Sequence, residues 1–167
     1  MSAEIVKVYT QDVPAVRFIG KKYGDSDRVD GMFGKHWGDW FQNGWFEVIE
    51  KQTNKDITAL YDDADAYIGL MRDNNGEFEY WIGILMPEET PVPDGYEYHD
   101  FPKAKFGVCW VHGKEEEVYS QEERCADKLE QMGYTLSEWC MERYCCPRFT
   151  TPDENGKVVL DICFYLK

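Results

Sequence analysis

The sequence has no long hydrophobic run and few basic residues, and both absences narrow the possible functions. No apolar segment approaches the roughly 20 residues needed to span a bilayer, and residues 1–7 contain no signal-peptide hydrophobic segment. The sequence has 18 Lys and Arg residues and 32 Asp and Glu residues, so its formal net charge is -14. A negative charge of this size repels the phosphate backbones of nucleic acids. We therefore expect a cytoplasmic protein that binds neither membranes nor nucleic acid directly.

Spacings typical of metal ligands are also missing. The six cysteines form no C-x-x-C pair, and no Cys/His or Ser/His combination suggests a catalytic pair; the cysteines are Cys109, Cys125, Cys140, Cys145, Cys146 and Cys163. In the cytoplasm they are expected to be reduced. We expect no metal and no cofactor, and we interpret Cys145 and Cys146 as two buried thiols on a strand.

Aromatic residues, in contrast, are abundant. They make up 16% of the 167 residues, more than a core of this size usually needs. The length suits a single domain over residues 1–167. Some of the aromatic side chains are therefore candidates for the wall of a binding site.

The carboxyl-terminal segment 157–166 combines a clear strand pattern with a single acidic residue, Asp161. Alternate side chains of a strand share a face, so Asp161, Cys163 and Tyr165 point away from Leu160 and Ile162. A carboxylate removed from water costs several kcal/mol unless it is paired or protonated. Asp161 is therefore exposed, paired within the protein, or available to a ligand.

The remaining chain predicts a repeated order of strand, helix, strand, turn and strand. Strands are predicted over 4–9, 13–23, 67–71, 78–86, 103–113, 142–146 and 157–166, with helices over about 26–43 and 118–132 and further helical turns over 45–50 and 136–140. The Asn75-Gly76 pair predicts a hairpin turn, and Gly44 and Gly133 predict helix ends. The half-repeats extend over about 1–87 and 96–167.

Alignment of the two halves gives Asp161 a counterpart. It places Asp161 opposite Trp81 and Cys163 opposite Gly83. If a pseudo-twofold axis relates the halves, these residues face one another across a central groove. An acid, an aromatic wall and a glycine that makes room are typical of a small-molecule pocket.

Several motifs in this order resemble the GyrI-like family, also known as the AraC-type effector-binding or SOUL/Rob-like domain. They are residues 13–20, the hairpin end 80–87, the strand end His112-Gly113, the segment Glu142-Arg143-Tyr144, and Leu160-Asp161-Ile162-Cys163. The sequence differs from the family pattern at Asp161, where Glu is usual, and at Cys163, where Tyr is common. It is similar to members that stand alone without a DNA-binding domain.

The resemblance implies an α+β fold of two β-α-β-β halves, with helices on one side of an antiparallel sheet and a ligand groove at the pseudo-twofold axis. It implies binding of hydrophobic, aromatic or cationic small molecules, since aromatic faces and carboxylates both attract cations. The predicted ligand-binding residues are Asp161, Glu142, Tyr144, Trp81, Trp110, Tyr67 and Cys163.

Two other functions stay open. Some family members resemble hydrolases that open strained cyclopropane genotoxins, in which case Glu142 or Asp161 would act as acid or base. Others contact DNA gyrase, so gyrase or a regulator is a candidate protein partner by analogy.

Overall fold

The computed structural model describes residues 3–167, so Met1 and Ser2 of the amino-terminal segment lie outside the described residues. The first half of the chain forms strands β1 (Glu4–Val13) and β2 (Val16–Gly24), helices α1 (Gly34–Asn43) and α2 (Trp45–Glu50), and strands β3 (Tyr67–Asn74) and β4 (Glu77–Pro87). The second half forms strands β5 (Glu97–Phe101) and β6 (Ala104–Gly113), helices α3 (Glu115–Val118) and α4 (Glu122–Gln131), and strands β7 (Leu136–Tyr144) and β8 (Val158–Leu166).

All eight strands form one antiparallel sheet in the order β1-β6-β8-β7-β3-β4-β2-β5. The two halves meet at the centre, where β7 pairs with β3. The first strand of each half crosses over, because β1 pairs with β6 and β5 pairs with β2. The predicted α+β fold with a pseudo-twofold axis is confirmed, with one more strand in front of each β-α-β-β unit.

Helices cover one face of the sheet, as predicted. On the first half, Trp40, Phe46 and Ile49 of α1 and α2 pack on Ile82 and Ile84 of β4. On the second half, Val118, Cys125 and Leu129 of α3 and α4 pack on Val111 of β6 and Ile162 of β8. We call this the helix face.

The opposite face carries a third core, which none of the described α-helices covers. Phe18, Leu70, Trp81 and Met141 belong to it, together with Tyr61 and Ala64 from the segment between α2 and β3. We call this the back face. Since side chains alternate along each strand, every strand residue belongs to one of these two faces.

Local signals account for the element ends that the sequence predicts correctly. Gly44 takes the left-handed conformation with φ of 66° and ends α1. Asn75 and Gly76 have φ of 54° and 88° and form the tight turn between β3 and β4.

Five local predictions are wrong. The single helix predicted over 118–132 is divided into α3 and α4, because Ser120 between them has a positive φ of 61°. The first helix begins at Gly34 instead of Ser26, because Asp30 and Gly31 both have positive φ and form a turn that a helix cannot contain. Residues 136–140 belong to strand β7 instead of a helical turn. Cys145 and Cys146 lie beyond the end of β7, and only Cys145 is buried. Residues 97–101 form β5, an edge strand that the pattern did not predict.

Candidate functional site

Glu142 lies at the centre of the sheet on the helix face. It pairs with Ile162 of β8 on one side and with Gly69 of β3 on the other. Its side chain is 6% exposed. The position is therefore central and largely closed to water.

Two tyrosine hydroxyls donate hydrogen bonds to this carboxylate. Tyr80 and Tyr144 each donate to Oε1 of Glu142 at 3.0 Å. The Tyr80 hydroxyl in turn accepts a hydrogen bond of 2.9 Å from the indole nitrogen of Trp37 on α1. A chain of hydrogen bonds thus connects the first helix to the buried acid.

No positively charged side chain neutralises Glu142. Among residues 3–167 it forms no ion pair with Lys, Arg or His. Burial raises the pKa of Glu142 to about 7, and the negative charge of Glu122 adds to this, while the two tyrosine hydroxyls act in the opposite direction. The group therefore changes its charge near neutral pH.

Gly69 makes room for this arrangement. A Cβ atom added at Gly69 would lie 2.5 Å from the Tyr80 hydroxyl and 3.2 Å from Oε1 of Glu142. A side chain at position 69 would therefore occupy the space in which the Tyr80 hydroxyl meets the carboxylate.

The pseudo-twofold axis passes through Gly69 and Glu142. Leu70 pairs with Trp81, and Arg143 pairs with Asp161. Because Trp81 corresponds to Asp161 in the repeat, Leu70 corresponds to Arg143 and Gly69 to Glu142. These two equivalent residues are also cross-strand partners. The axis thus places an acid from one half beside a glycine from the other, and the Tyr80 hydroxyl fills the space next to that glycine.

Aromatic rings surround the carboxylate. Trp37 contacts Tyr144 edge to face with ring centroids 4.8 Å apart, and Phe149 contacts Tyr144 at the same separation. Tyr67 is the cross-strand partner of Tyr144 and stacks on Phe46 at 3.7 Å. The helix face at the axis therefore combines one buried acid with several aromatic groups.

Asp161 lies on the back face and is paired within the protein. Oδ2 of Asp161 accepts hydrogen bonds from Nη2 of Arg143 at 2.8 Å and from Nη2 of Arg148 at 2.6 Å. Arg148 also binds Asp63 at 2.9 Å. Both Asp161 and Arg143 are fully buried. Of the three states that the sequence allowed, the structure has the internally paired one.

The expectation that Asp161 and Glu142 share one groove is wrong. Arg143 is the cross-strand partner of Asp161, and Glu142 is the next residue along β7, so the two acids point to opposite faces of the sheet. Of the seven predicted residues, Glu142, Tyr144 and Tyr67 lie on the helix face. Asp161, Trp81, Trp110 and Cys163 lie on the back face.

Residues that the sequence did not single out complete the two clusters. Tyr80, Trp37 and Gly69 contact Glu142 or its partners, and Arg143 and Arg148 neutralise Asp161. The sequence could have indicated Tyr80, because strand alternation in the predicted hairpin places its side chain on the face opposite to that of Trp81. Trp37 lies in the predicted first helix, where aromatic residues at helical spacing usually indicate core packing. Arg148 follows the strand, where no pattern indicates its partner.

Asp63, Cys145 and Asp161 place ligand-type atoms within 4.8 Å of one another. Both carboxylates already bind the guanidinium of Arg148. A metal ion would have to displace that contact, so this cluster is better described as an ion-pair network.

A sequence model of one protein family matches residues 4–164. Its description is "Integron-associated effector binding protein". No curated protein matches the chain.

Solved structures match over nearly the whole chain. SAV2435 bound to tetraphenylphosphonium has a TM-score of 0.69 and 17% identity, covering 97% of this chain and 94% of that one. An integron cassette protein from Vibrio cholerae has a TM-score of 0.54 and 9% identity, covering 100% of both chains. A hydrolase from Listeria innocua has a TM-score of 0.53 and 10% identity, covering 96% of this chain and 92% of that one. At these identities the likeness concerns the fold.

The described helices are too short or too polar to cross a membrane.

Proposed function

The chain belongs to the family of integron-associated effector-binding proteins, and on this basis we propose that it binds lipophilic organic cations against the buried carboxylate of Glu142. One observation carries the proposal: Glu142 is 6% exposed and has two tyrosine hydroxyls but no cation among its described partners. A buried carboxylate without a counter-charge is costly, and a cationic ligand would supply the missing charge.

The surroundings of Glu142 favour a delocalised or quaternary cation over a metal ion. The nearby groups are the rings of Tyr67, Tyr80, Trp37 and Tyr144, whose faces attract cations by about 0.5–2 kcal/mol each. A strongly hydrated metal ion such as Ca²⁺ takes six to eight oxygen ligands, whereas the described residues of this site offer only one carboxylate and the two tyrosine hydroxyls. The tetraphenylphosphonium in the SAV2435 structure belongs to the class of cation that we expect here.

A bulky cation can reach Glu142 only if the aromatic side chains over the carboxylate move. Trp37 contacts both Tyr80 and Tyr144 above the carboxylate. We propose that the ligand displaces the Trp37 side chain and takes its place against the tyrosine rings. The fluorescence of Trp37 would then report binding, because its environment changes.

The first test titrates tetraphenylphosphonium into the protein and into the Glu142→Gln variant, with triphenylphosphine oxide as the neutral analogue. We expect the cation to bind, the neutral analogue to bind at least about tenfold more weakly, and the variant to lose a similar factor. Glu138→Gln is the matched control, since Glu138 lies on the same strand with a side chain that is 55% exposed. Equal binding by the wild type and Glu142→Gln would contradict the proposal.

The pH dependence provides a second readout. The cation binds the ionised carboxylate, and the pKa of Glu142 in the free protein is about 7. Affinity should therefore rise as the pH increases through 7, level off above it, and be accompanied by proton release near neutral pH. Calorimetry in buffers of different ionisation enthalpy measures this release, and Glu142→Gln should abolish it.

Hydrolysis of a strained cyclopropane compound is the second candidate function. It is favoured by the same pKa of about 7, since such a group can donate or accept a proton near neutral pH. Product formation by the wild type that is lost in Glu142→Gln would establish it, whereas binding without product would leave the effector-binding function alone. Contacts with gyrase or a regulator stay predictions from the family resemblance.

A further inference from the structure

The loop between β7 and β8 presents side chains to both faces of the sheet. Arg148 lies on the back face, where its guanidinium carbon is 4.5 Å from the ring centroid of Trp110. Phe149, the next residue, belongs to the apolar cluster of the helix face. Two adjacent residues of one loop therefore connect the back-face ion-pair network with the surroundings of Glu142.

Two acids hold the guanidinium of Arg148, and they come from different halves of the chain. Asp161 of β8 accepts hydrogen bonds of 2.9 Å from Nε and 2.6 Å from Nη2. Asp63, from the segment before β3, accepts hydrogen bonds of 3.3 Å from Nη1 and 2.9 Å from Nη2. Because both contacts are bidentate, they fix the orientation of the guanidinium as well as its position.

The backbone of the loop is anchored at the same point. The carbonyl oxygen of Arg148 accepts a hydrogen bond of 2.8 Å from the amide of Val159 in β8. The amide of Phe149 donates a hydrogen bond of 2.8 Å to the carbonyl oxygen of Cys145. Since the side chain and the main chain of Arg148 are both held, Phe149 has little freedom to leave the helix face.

Phe149 packs against a tyrosine that binds Glu142. Its ring contacts that of Tyr144 edge to face, with centroids 4.8 Å apart, and the hydroxyl of Tyr144 donates a hydrogen bond of 3.0 Å to the carboxylate. Edge-to-face aromatic pairs have a preferred geometry, so the position of Phe149 restricts the ring of Tyr144. Displacement of Phe149 would free this ring and expose the carboxylate to water.

We propose that Arg148 is a positioning residue for cation binding at Glu142. Held by its two acids, it keeps Phe149 on the ring of Tyr144, so that the tyrosine hydroxyl stays directed at the carboxylate. This role rests on the proposed function, since it concerns the same carboxylate. It adds a contribution from the opposite face of the sheet, by a residue that does not itself touch Glu142.

Carbon-13 NMR of the Glu142 carboxyl group tests this role in the ligand-free protein. Burial is the main cause that raises the pKa of Glu142 to about 7, and the tyrosine hydrogen bonds oppose it less strongly, so water admitted beside Tyr144 should lower the pKa. We expect a lower pKa in Arg148→Met and in Phe149→Ala than in the wild type. Loss of a positive charge alone would raise the pKa, so the direction separates the two effects. Arg148→Lys keeps the charge without the bidentate contacts and should restore the pKa in part.

Titration of tetraphenylphosphonium provides the second readout. Arg148→Met and Phe149→Ala should each weaken binding about two- to tenfold, the range expected for loss of one edge-to-face aromatic contact. Because Arg148 acts through Phe149, the double variant should bind no more weakly than Phe149→Ala alone. Independent contributions would instead multiply.

Arg72→Met is the matched control. Arg72 also lies on the back face, where its side chain is 19% exposed, binds Glu79 at 2.9 Å and has its guanidinium carbon 4.3 Å from the ring centroid of Trp139. It belongs to strand β3 and holds no loop against the helix face. Its substitution should lower stability in urea, leave the pKa of Glu142 unchanged and change affinity less than about twofold.

Three results would overturn the proposal. They are a Glu142 pKa in Arg148→Met that equals or exceeds that of the wild type, a double variant that binds more weakly than Phe149→Ala, and equal effects of Arg72→Met and Arg148→Met. If Arg148→Met does not fold, Asp63→Asn replaces it in the titration, because Asp63 is 26% exposed and its loss frees one side of the guanidinium. Failure of the wild type to bind tetraphenylphosphonium would reject the proposed function instead, and the NMR titration would still decide whether Arg148 positions Tyr144.

Discussion

Two buried acids of neighbouring strands differ in how their charge is compensated. Asp161 is held between two guanidinium groups, whereas Glu142 has only phenolic hydroxyls. In the first arrangement the protein itself supplies the positive charges, so the carboxylate has little charge left for a ligand to neutralise. In the second, the carboxylate becomes negatively charged near neutral pH and no positive side chain among its described partners balances that charge. Glu142 is therefore the stronger candidate for binding a cation.

Asp161→Asn should strongly destabilise the fold. Arg143 is fully buried, and the substitution would leave its charge and that of Arg148 without their shared acid. Breaking a buried pair in this way typically costs about 3–5 kcal/mol. Urea unfolding monitored by tryptophan fluorescence would measure the loss.

The control for that variant is Asp100→Asn. Asp100 pairs with Arg17 at 2.7 Å, but its side chain is 57% exposed, so the expected loss is at most about 1 kcal/mol. Similar losses in both variants would show that the buried network contributes no more than a surface pair.

At the scale of elements, the central pair of strands positions the site. β3 and β7 place Gly69 and Glu142 opposite one another, and β4 adds Tyr80 beside them. Helix α1 then brings Trp37 over the tyrosines. No single element contains the site, because each of these strands and the helix contributes one or two of its side chains.

Gly69→Ala should disturb the site through one methyl group. The new Cβ atom would lie 2.5 Å from the Tyr80 hydroxyl, so the tyrosine must move away from Glu142. We expect a loss of about 1–3 kcal/mol in stability and several-fold weaker binding of tetraphenylphosphonium, measured by unfolding and by titration.

Gly38→Ala is the matched glycine substitution. Gly38 lies within α1 and has nothing within 4 Å of an added Cβ atom, so alanine should gain up to about 1 kcal/mol from helix propensity. If Gly69→Ala were equally harmless, the close packing at the axis would not constrain Tyr80.

At the scale of the whole molecule, the exchange of first strands makes the halves interdependent. β1 completes the sheet of the second half, and β5 completes that of the first. The halves also share the β3–β7 ladder. Although the chain contains a repeat, the repeats are therefore parts of one cooperative unit.

Neither half-chain should fold by itself. Residues 1–95 expressed alone would lack β6, the partner of β1, and residues 96–167 would lack β2, the partner of β5. We expect disordered fragments by circular dichroism, and a single unfolding transition for the full chain that coincides by circular dichroism and fluorescence. A folded half-chain, or two separate transitions, would contradict this view.

The sequence by itself determined the fold class and most strands. Alternation defined β4 and β8, the Asn75-Gly76 turn joined β3 to β4, and Gly44 ended α1. These features depend on neighbours along the chain, so their physical causes are visible in the sequence. Glu142 and Tyr144 were predicted from the family resemblance, and in the structure a hydrogen bond joins them.

The tertiary structure alone decided which face of the sheet the helices cover and which partner each acid finds. Alternation shows that Glu142 and Arg143 point in opposite directions, but it does not show that α1 and α2 cover the side of Glu142. It also cannot show that Arg148, from the loop after β7, reaches Asp161. Both outcomes depend on packing between segments distant in sequence, where burial and charge compensation favour one arrangement of the whole sheet.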